Sequence, residues 1–290
     1  MKKILTLCVV TIINHSLYTS APAQSSALTI PEGLLSKKNI HEDGTENTVP
    51  VHTETNIENE NNNISLYAAV EQGNVEAVRR LLNAGENPNT ENPTLNGHTS
   101  LHEAVVGGNI EIVRLLLAAH ANPSIESQYG WTPLSIAIAD IKVEIVKELL
   151  AAGATQMIGT TTVLHQAVER RYHKIVKELL AAHANPNAQD INGETPLHEG
   201  VKGGKVEIIQ ALLDADANPN RVNNYGSTPL HIAASYKELE IAQALLTAGA
   251  DVMIRNKCGL NALDIAQNAE RPNHELIQLL KNSSKTSSSI

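Results

Sequence analysis

A motif that recurs about every 33 residues constrains this chain more than any other feature of its sequence. The stretch GETPLHEGVKGGKVEIIQALLDADANPN at 193–220 returns in close variants at 97–124 and 226–253. The equivalent anchor residues are Thr99, Thr132, Thr162, Thr195, Thr228 and Asn261. They are separated by 33, 30, 33, 33 and 33 residues, and a weaker copy begins at Ile64, 35 residues before the first anchor. A period of this length predicts one supersecondary unit stacked repeatedly, rather than a single globular core.

Each copy reads as a short helix followed by a turn. In the copy at 193–225, Thr195 suits a helix N-cap and Pro196 suits the first helical position. Leu197 and Val201, four residues apart, share one face of this helix. Because so short an element cannot bury its apolar face alone, we expect each copy to complete the core of its neighbours.

A second helix follows in the same copy. Gly203 and Gly204 are expected to end the first helix, because glycine readily adopts the left-handed cap. The apolar positions of the second, amphipathic helix are Val206, Ile208, Ile209, Leu212 and Leu213. Asn218 and Pro219 then break this helix and lead into an extended loop or hairpin before the next copy.

The period and the motif T-P-L-H-x-A, present as TPLHIA from Thr228, resemble the ankyrin repeat. The resemblance covers 64–280 and implies an all-α ankyrin-repeat solenoid of about seven helix-turn-helix units with short hairpin loops. The expected units are about 64–96, 97–129, 130–158, 159–192, 193–225, 226–258 and 259–280. The end copies are degenerate, with Tyr67 in place of the histidine and NALD at 261–264. Such divergence is expected where a unit's outer face meets water.

The N-terminus has the three parts of a secretory signal peptide. Lys2 and Lys3 precede an apolar run over 4–13, and an A-x-A triplet follows at 21–23. The run is shorter than the about 20 apolar residues that a membrane span needs. We therefore expect cleavage after Ala23, a secreted or periplasmic location through a Sec-type signal and no membrane contact afterwards. An uncleaved membrane anchor is the alternative.

Two segments outside the repeats have the composition of disordered chain. Residues 24–63 are rich in Asn, Thr, Glu and Ser, and carry seven acidic residues against Lys37 and Lys38. Residues 281–290 are rich in Ser. Neither segment has enough apolar side chains to offset the entropy of ordering, so we expect a disordered linker and a disordered tail.

The composition excludes some classes of protein. The chain has no Phe, one Trp and six Tyr, so large aromatic side chains cannot dominate its core. Its net charge of −9 argues against a nucleic-acid-binding protein, which normally carries a basic stripe. Signal cleavage would leave Cys258 as the single cysteine, without an internal disulfide partner.

The histidines are not expected to form a metal or catalytic site. Those at one position of the unit are His102, His165, His198 and His231. Helices pack about 8–10 Å apart, so a residue repeated once per unit is too widely spaced to share a zinc ion, whose ligands lie about 2 Å away. The resemblance implies instead that these histidines hydrogen-bond the anchor threonine and the loop backbone. We expect no enzyme activity, no catalytic residue, no metal, no cofactor and no small-molecule substrate.

In ankyrin-repeat proteins, partners usually dock on the concave face, which the hairpin tips and the exposed ends of the first helices form. The tip residues that the resemblance assigns to this face are Leu95, His98, Tyr129, Trp131, Ile191, Glu194, Tyr225, Lys257 and Leu260. The helix-end residues are Val106, Asp140, Glu169, Arg170, Lys202 and Tyr236. Four of these are aromatic, in a chain with only seven aromatic residues, and Trp and Tyr are enriched at binding hot spots. The alternative is that these aromatic side chains pack against neighbouring tips.

The third unit departs from the pattern. Its loop, GATQMIGTTTVLH, is three residues short, and in the following unit Arg171 replaces the glycine that usually ends the first helix. We expect a truncated tip here, which can bend the stack and interrupt the concave surface.

The resemblance implies a non-enzymatic protein–protein interaction module whose partner is another protein. Preformed loops would bind that partner without the ordering cost of a flexible binder. The signal-like N-terminus and Asn-rich linker resemble exported ankyrin-repeat proteins of intracellular bacteria, which often act on host proteins. A host-directed effector is therefore one hypothesis, and a periplasmic scaffold or inhibitor acting within the bacterium is the other.

Overall fold

The computed structural model of the chain describes residues 64–158 and 161–286, so the predicted signal peptide (1–23), the predicted linker (24–63) and residues 287–290 lie outside the described residues. Within those ranges the α-helices form seven pairs, one for each predicted unit. The pairs are α1 (Leu66–Glu71) and α2 (Val75–Asn83), α3 (Ser100–Gly107) and α4 (Ile110–Ala118), α5 (Pro133–Ala139) and α6 (Val143–Ala151), α7 (Val163–Glu169) and α8 (His173–Ala181), α9 (Pro196–Gly203) and α10 (Val206–Asp214), α11 (Pro229–Tyr236) and α12 (Leu239–Thr247), and α13 (Ala262–Asn268) and α14 (His274–Thr286). This architecture confirms the predicted all-α solenoid of helix-turn-helix units.

Hairpins connect the units. Strand β1 (Glu91–Asn92) pairs antiparallel with β2 (His98–Thr99), and β3 (Met157–Ile158) pairs in the same way with β4 (Thr161–Thr162). Elsewhere the connecting loops turn without a regular strand pair in the described residues. In each case the hairpin or loop ends at the anchor residue that starts the next helix.

Single residues fix where the first helices begin and end. Thr195 is the N-cap of α9 and forms a capping box with His198, while Pro196 takes the first helical position. Gly204 ends the helix with a φ of 67°, a left-handed conformation that glycine adopts without a Cβ clash. At the end of α7, Arg171 holds a φ of 60° instead. This conformation costs a non-glycine residue about 1 kcal/mol, so the departure noted in the sequence is a site of backbone strain.

One continuous row of buried apolar side chains runs through the stack. In the fifth unit, Leu197 and Val201 of α9 and Ile209 and Leu212 of α10 are fully buried, as their spacing predicted. In the second, third, fourth and sixth units the equivalent leucines are also fully buried: Leu101, Leu134, Leu164 and Leu230. Each first helix packs against the first helices of the adjacent units, so every unit completes the interior of the next.

Gly200 should be replaceable by alanine with a gain in stability. The equivalent buried positions of the other six units hold alanine: Ala69, Ala104, Ala137, Ala167, Ala233 and Ala266. A Cβ at Gly200 would lie 3.0 Å from Cδ1 of Ile209 and 3.4 Å from Cγ1 of Val168, and both are methyl groups at the ends of side chains. Because alanine favours a helix interior by about 0.5–1 kcal/mol over glycine, we expect Gly200→Ala to raise the free energy of unfolding by about that amount.

Urea unfolding measures this change. The matched control is Gly204→Ala, which should destabilise the protein because its φ of 67° strains any residue with a Cβ. A lower unfolding free energy for Gly200→Ala would show that the packing around Ile209 cannot relax.

The predicted disordered tail was wrong for residues 281–286, which continue α14. Leu276 and Leu280 are buried and hold the helix against the last repeat. The hydroxyl groups of Ser283 and Ser284 donate to backbone carbonyls of the same helix, at 3.1 and 2.8 Å. These local bonds satisfy the serine side chains within a helix, so a Ser-rich composition did not end it here.

Candidate protein-binding surface

The repeated histidines are structural, as predicted. Nδ1 of His198 accepts a hydrogen bond from the backbone N–H of Thr195 at 3.1 Å and lies 2.9 Å from the hydroxyl of the same threonine. Nε2 of His198 donates to the backbone carbonyl of Ser227 at 3.0 Å, because a carbonyl can only accept. The equivalent bonds to the following hairpin are made by His102 to Trp131, His165 to Glu194 and His231 to Leu260, at 3.0–3.1 Å. Each of these histidines therefore joins its own helix start to the next hairpin.

This series of bonds is interrupted in the third unit. Ser135 stands where the second, fourth, fifth and sixth units have histidine, and its hydroxyl donates to the carbonyl of Thr132 in the same unit at 2.8 Å. The shorter serine side chain satisfies the helix start but makes no bond to the next hairpin among the described residues. The sequence carried this signal, since TPLS replaces TPLH, and the shortened loop lies in the same unit.

The hairpin tips form two groups rather than one row. The backbone N–H of Gln128 donates to the carbonyl of Asn96 at 2.8 Å, which joins the first two hairpins. The backbone N–H of Asn224 donates to the carbonyl of Asn192 at 2.9 Å, which joins the fourth and fifth. Between these groups lies the shortened β3–β4 hairpin, and no such bond reaches it within the described residues.

Four predicted tip residues are buried, so their assignment to the partner surface was wrong. His98, Trp131, Glu194 and Leu260 are only 6–9% exposed. Each follows a glycine with a φ of 70–75° and directly precedes an anchor residue. The left-handed glycine turns the following residue inward, where the next unit covers its side chain. For Trp131 the alternative interpretation, packing within the stack, is the correct one.

The remaining tip residues are exposed. They lie one or two positions before the glycine of each hairpin, on its outer side: Leu95, Tyr129, Ile191, Tyr225 and Lys257. Tyr129 is 56% exposed and Ile191 is 72% exposed, which is unusual for apolar side chains in a chain with few aromatic residues. These five side chains are accessible to a partner, and their contact with one stays a prediction.

The helix-end residues differ in accessibility. Glu169 and Arg170 at the end of α7 and Tyr236 at the end of α11 are exposed. Val106 is half-buried and packs against the core, so it offers a partner only part of its side chain. The exposed residues of this group extend the accessible surface from the hairpins onto the first helices.

Two predicted helix-end residues are held in ion pairs within the protein. The ammonium of Lys142 lies 2.6 Å from the carboxylate of exposed Asp140. Lys202 contacts the carboxylates of both Glu194 and, at 3.3 Å, Glu199, and its side chain is only 16% exposed. Burial alone would lower the pKa of Lys202, but the charges of Glu199 and Glu194 outweigh it and raise the pKa. Lys202 is therefore a structural cation more than a free contact residue.

Replacing Lys202 by methionine should destabilise the protein by about 2 kcal/mol. The change leaves Glu194 buried without its cation, and an unpaired buried charge is costly. Burial already raises the pKa of Glu199 although Lys202 opposes the shift, so loss of Lys202 should raise it further. The double variant Glu194→Gln/Lys202→Met should recover part of the loss in urea unfolding. Equal stability of both variants would show that the Glu194 charge is tolerated alone.

A second set of bonds between units was missed in the sequence. The side-chain amide of Asn187 donates to the carbonyl of Asp216 at 2.9 Å, and its oxygen accepts from the backbone N–H of Asn218 at 2.7 Å. Asn89 and Asn220 bridge their neighbouring units in the same way. The recurring triplet Asn-Pro-Asn was the available signal, but it was interpreted only as a helix-breaking turn.

The described residues were also compared with the requirements of a metal site and of a membrane-spanning helix. No group of three or more His, Cys, Asp or Glu side chains in 64–158 and 161–286 could hold a metal ion. None of the helices in this part of the chain has both the length and the apolar character needed to cross a bilayer. Cys258 is exposed on the last hairpin.

Comparison with known proteins decides the family. A family model described as ankyrin repeats (3 copies) matches residues 36–127, 65–160, 108–190 and 164–256, which together span more than half of the chain. The chain belongs to the ankyrin-repeat family. Ankyrin repeats are protein–protein interaction modules and are generally not enzymes. The described residues of this ankyrin-repeat protein therefore form an interaction module.

Solved structures similar to this ankyrin-repeat protein come from different organisms. The ankyrin repeat domain of Bcl-3, a member of the IkappaB protein family, has 29% identity and a TM-score of 0.67, over 76% of this chain and 99% of that one. The human ASB11 domain has 30% identity and a TM-score of 0.58, over 75% and 96%. An ankyrin repeat domain from Acinetobacter baumannii AYE has 29% identity and a TM-score of 0.59, over 64% and 98%. Among curated proteins, none matches the chain.

Proposed function

We propose that this protein is an exported binding module that captures one protein partner on its concave face. The observation that carries the proposal is the exposure of Tyr129, Ile191 and Tyr225 on hairpins that are otherwise tightly bonded. Two of the chain's six tyrosines lie there, although burial would contribute more to stability. Exposed aromatic side chains on a rigid support are typical of binding hot spots.

Rigidity supports the same proposal. The histidine bonds tie the hairpins that carry Tyr129, Ile191 and Tyr225 to the unit before each of them, so these tips are held in place before any partner arrives. A preformed surface loses little conformational entropy on binding, which favours affinity. Glu169, Arg170 and Tyr236 extend this surface onto the ends of the first helices.

A capture experiment tests the proposed surface. The full chain with an affinity tag is compared with Tyr129→Ala/Tyr225→Ala, and the control is Lys177→Ala/Gln210→Ala, which changes exposed residues of the second helices α8 and α10. A partner retained by the wild type and the control should be depleted at least about tenfold with the tyrosine variant. Equal capture by all three proteins would contradict the proposal.

Export is part of the proposal and has its own test. It rests on the signal-like residues 1–23, so the mature protein should begin at Gln24 in N-terminal sequencing. A membrane-bound product that keeps Met1 would contradict cleavage and support the uncleaved anchor. Fractionation then separates the two hypotheses of the sequence analysis. A host-directed effector leaves the bacterium, and a periplasmic scaffold or inhibitor stays within it.

A further inference from the structure

We infer that the pair of hairpin tips carrying Leu95 and Tyr129 binds a protein segment rich in Lys and Arg. This inference rests on the proposed function and names the chemistry of the partner at one part of the surface. The two side chains lie on hairpins joined by the Gln128–Asn96 backbone bond, and both are exposed, at 41% and 56%. They form an apolar patch that the protein itself leaves uncovered.

The Asp, Glu, Lys and Arg residues of the two hairpins that form this tip pair are all glutamates. Glu91 lies in β1, and its carboxylate is within 3.4 Å of a Cβ placed on Gly97 at the first tip. Glu126 is exposed in the second hairpin. On the first helices beside the hairpins are exposed Glu71 and half-buried Glu103. A cation that docks against the tip pair therefore meets carboxylates from both hairpins.

The positive charges of the same units lie on their other helices. Residues 64–141 contain three Lys or Arg residues, and all three are in the second helices: Arg79, Arg80 and Arg114. Arg79 pairs with Glu111 at 3.4 Å, and Arg114 pairs with Glu148 at 2.8 Å. These arginines thus bridge neighbouring second helices and do not neutralise the carboxylates at the tips. The next cation along the chain, Lys142, contacts the carbonyl oxygens of Val105 and Val106 at the end of α3 and pairs with Asp140. The two hairpins of the tip pair contain no Lys or Arg residue.

The other tip group has mixed charge. Ile191 and Tyr225 are also exposed and adjacent, and half-buried Asp190 precedes Ile191, but exposed Arg221 and Lys257 lie on the neighbouring loop and tip. The shortened β3–β4 hairpin separates the two groups. Exposed apolar side chains are therefore common to both groups, whereas of the two only the hairpins of Leu95 and Tyr129 carry carboxylates without a Lys or Arg residue.

The chemistry of recognition follows from these groups. An Arg side chain can lie over the ring of Tyr129, where the cation is attracted to the π face. Its guanidinium then reaches Glu126 or Glu91, which can accept charge-assisted hydrogen bonds. An apolar side chain of the same segment would cover Leu95. The geometry suits a segment in which cationic and apolar residues alternate.

Fluorescence anisotropy with a labelled synthetic peptide tests the inference. The probe is a short peptide in which Arg and Leu alternate with Gly, and its partner probe has Glu in place of every Arg. The wild-type chain should bind the Arg peptide at low salt, more weakly at physiological salt, and should not bind the Glu peptide. Tyr129→Ala should weaken binding by about tenfold, whereas Tyr225→Ala, at the equivalent tip position, should change it by less than about twofold.

A matched pair of charge variants excludes attraction by net charge alone. Glu91→Gln/Glu126→Gln should weaken binding by about tenfold, because each carboxylate contributes through a direct ion pair. Glu76→Gln/Glu207→Gln removes the same charge from the exposed first turns of α2 and α10 and should have little effect. Equal weakening by both variants would overturn the inference, as would equal sensitivity to Tyr129 and Tyr225.

Other occupants give different results. If a second copy of the chain covers the tip pair, sedimentation will show a dimer that Tyr129→Ala dissociates, and the inference is overturned. The proposed function can survive this failure. Suppose that the Tyr129→Ala/Tyr225→Ala variant loses a native partner while the wild type binds the Arg and Glu peptides equally. That result would support the proposed binding surface and would contradict its preference for a cationic segment.

Discussion

Replacing His198 by alanine is expected to lower the free energy of unfolding by about 4 kcal/mol. The imidazole is fully buried and links the start of α9 to the hairpin of the next unit. Its loss leaves the backbone N–H of Thr195 buried without a partner, which costs about 1–3 kcal/mol. It also removes one of the two hydrogen bonds to the Ser227 carbonyl, which then keeps only the N–H of Asn223 at 3.0 Å. The cavity left by the ring adds to this cost.

Urea unfolding followed by circular dichroism measures this loss. His274→Ala is the control, since His274 is exposed at the start of α14 and its removal should cost less than about 0.5 kcal/mol. The effect of His198→Ala should also extend beyond its own unit, because the lost bond lies between units. A change as small as that of the control would mean that water or a neighbouring group replaces the ring.

Lowering the pH from 7.5 to 5 is expected to remove about 4 kcal/mol of stability through His102 and His198 alone. Burial lowers the pKa of both to about 4, whereas the unfolded chain has the ordinary value of 6.5. The geometry gives the same direction, because Nδ1 of each ring faces a backbone N–H and has no room for a proton of its own.

The direction of the pH effect follows from proton binding. Between pH 6.5 and about 4 the unfolded chain takes up protons that the folded chain excludes, so acid favours unfolding. The stability is fully present above the unfolded pKa and is lost as the pH falls towards 4, by about 2 kcal/mol per histidine at pH 5. Burial lowers the pKa of His165 and His231 too and adds to the loss. The raised pKa of Glu199 acts in the opposite sense at lower pH.

Unfolding curves at pH 7.5 and 5 test this expectation. The variant His198→Ser copies the third unit, where Thr132 and Ser135 form the capping box without a titrating group. It should be less stable at pH 7.5 but should lose about 2 kcal/mol less on acidification than the wild type. If this variant loses as much unfolding free energy on acidification as the wild type, His198 does not control the acid sensitivity.

The conformation of one glycine in each hairpin explains which predicted tip residues are buried and which are exposed. The residue before each anchor, such as Trp131 or Glu194, is of a type that suggests contact with a partner when only the sequence is considered. Its burial depends on the left-handed glycine before it and on the unit that packs over it. The outward residues, such as Tyr129 and Ile191, are separated from it by only one or two positions. The sequence pattern therefore located the hairpin tips but did not separate their exposed residues from their buried ones.

The ion pair of Lys202 illustrates the same limit. The sequence places this lysine at the end of a first helix, where ankyrin-repeat proteins often meet their partners. Its acceptor Glu194 comes from the hairpin eight residues earlier, so only the folded unit brings the charges together. Once paired and half-buried, the cation serves the stability of the fold more than recognition.

The sequence by itself determined the repeating helix pair, its caps and its buried leucines, because these depend on residues within four positions of one another. The period then required stacking, since no unit could bury its own interior. Only the tertiary structure decided which tip residues face outward, which charges are paired and where the tips divide into two groups. Those properties depend on contacts between units about 30 residues apart, and the shortened third hairpin changes them without altering the helical pattern.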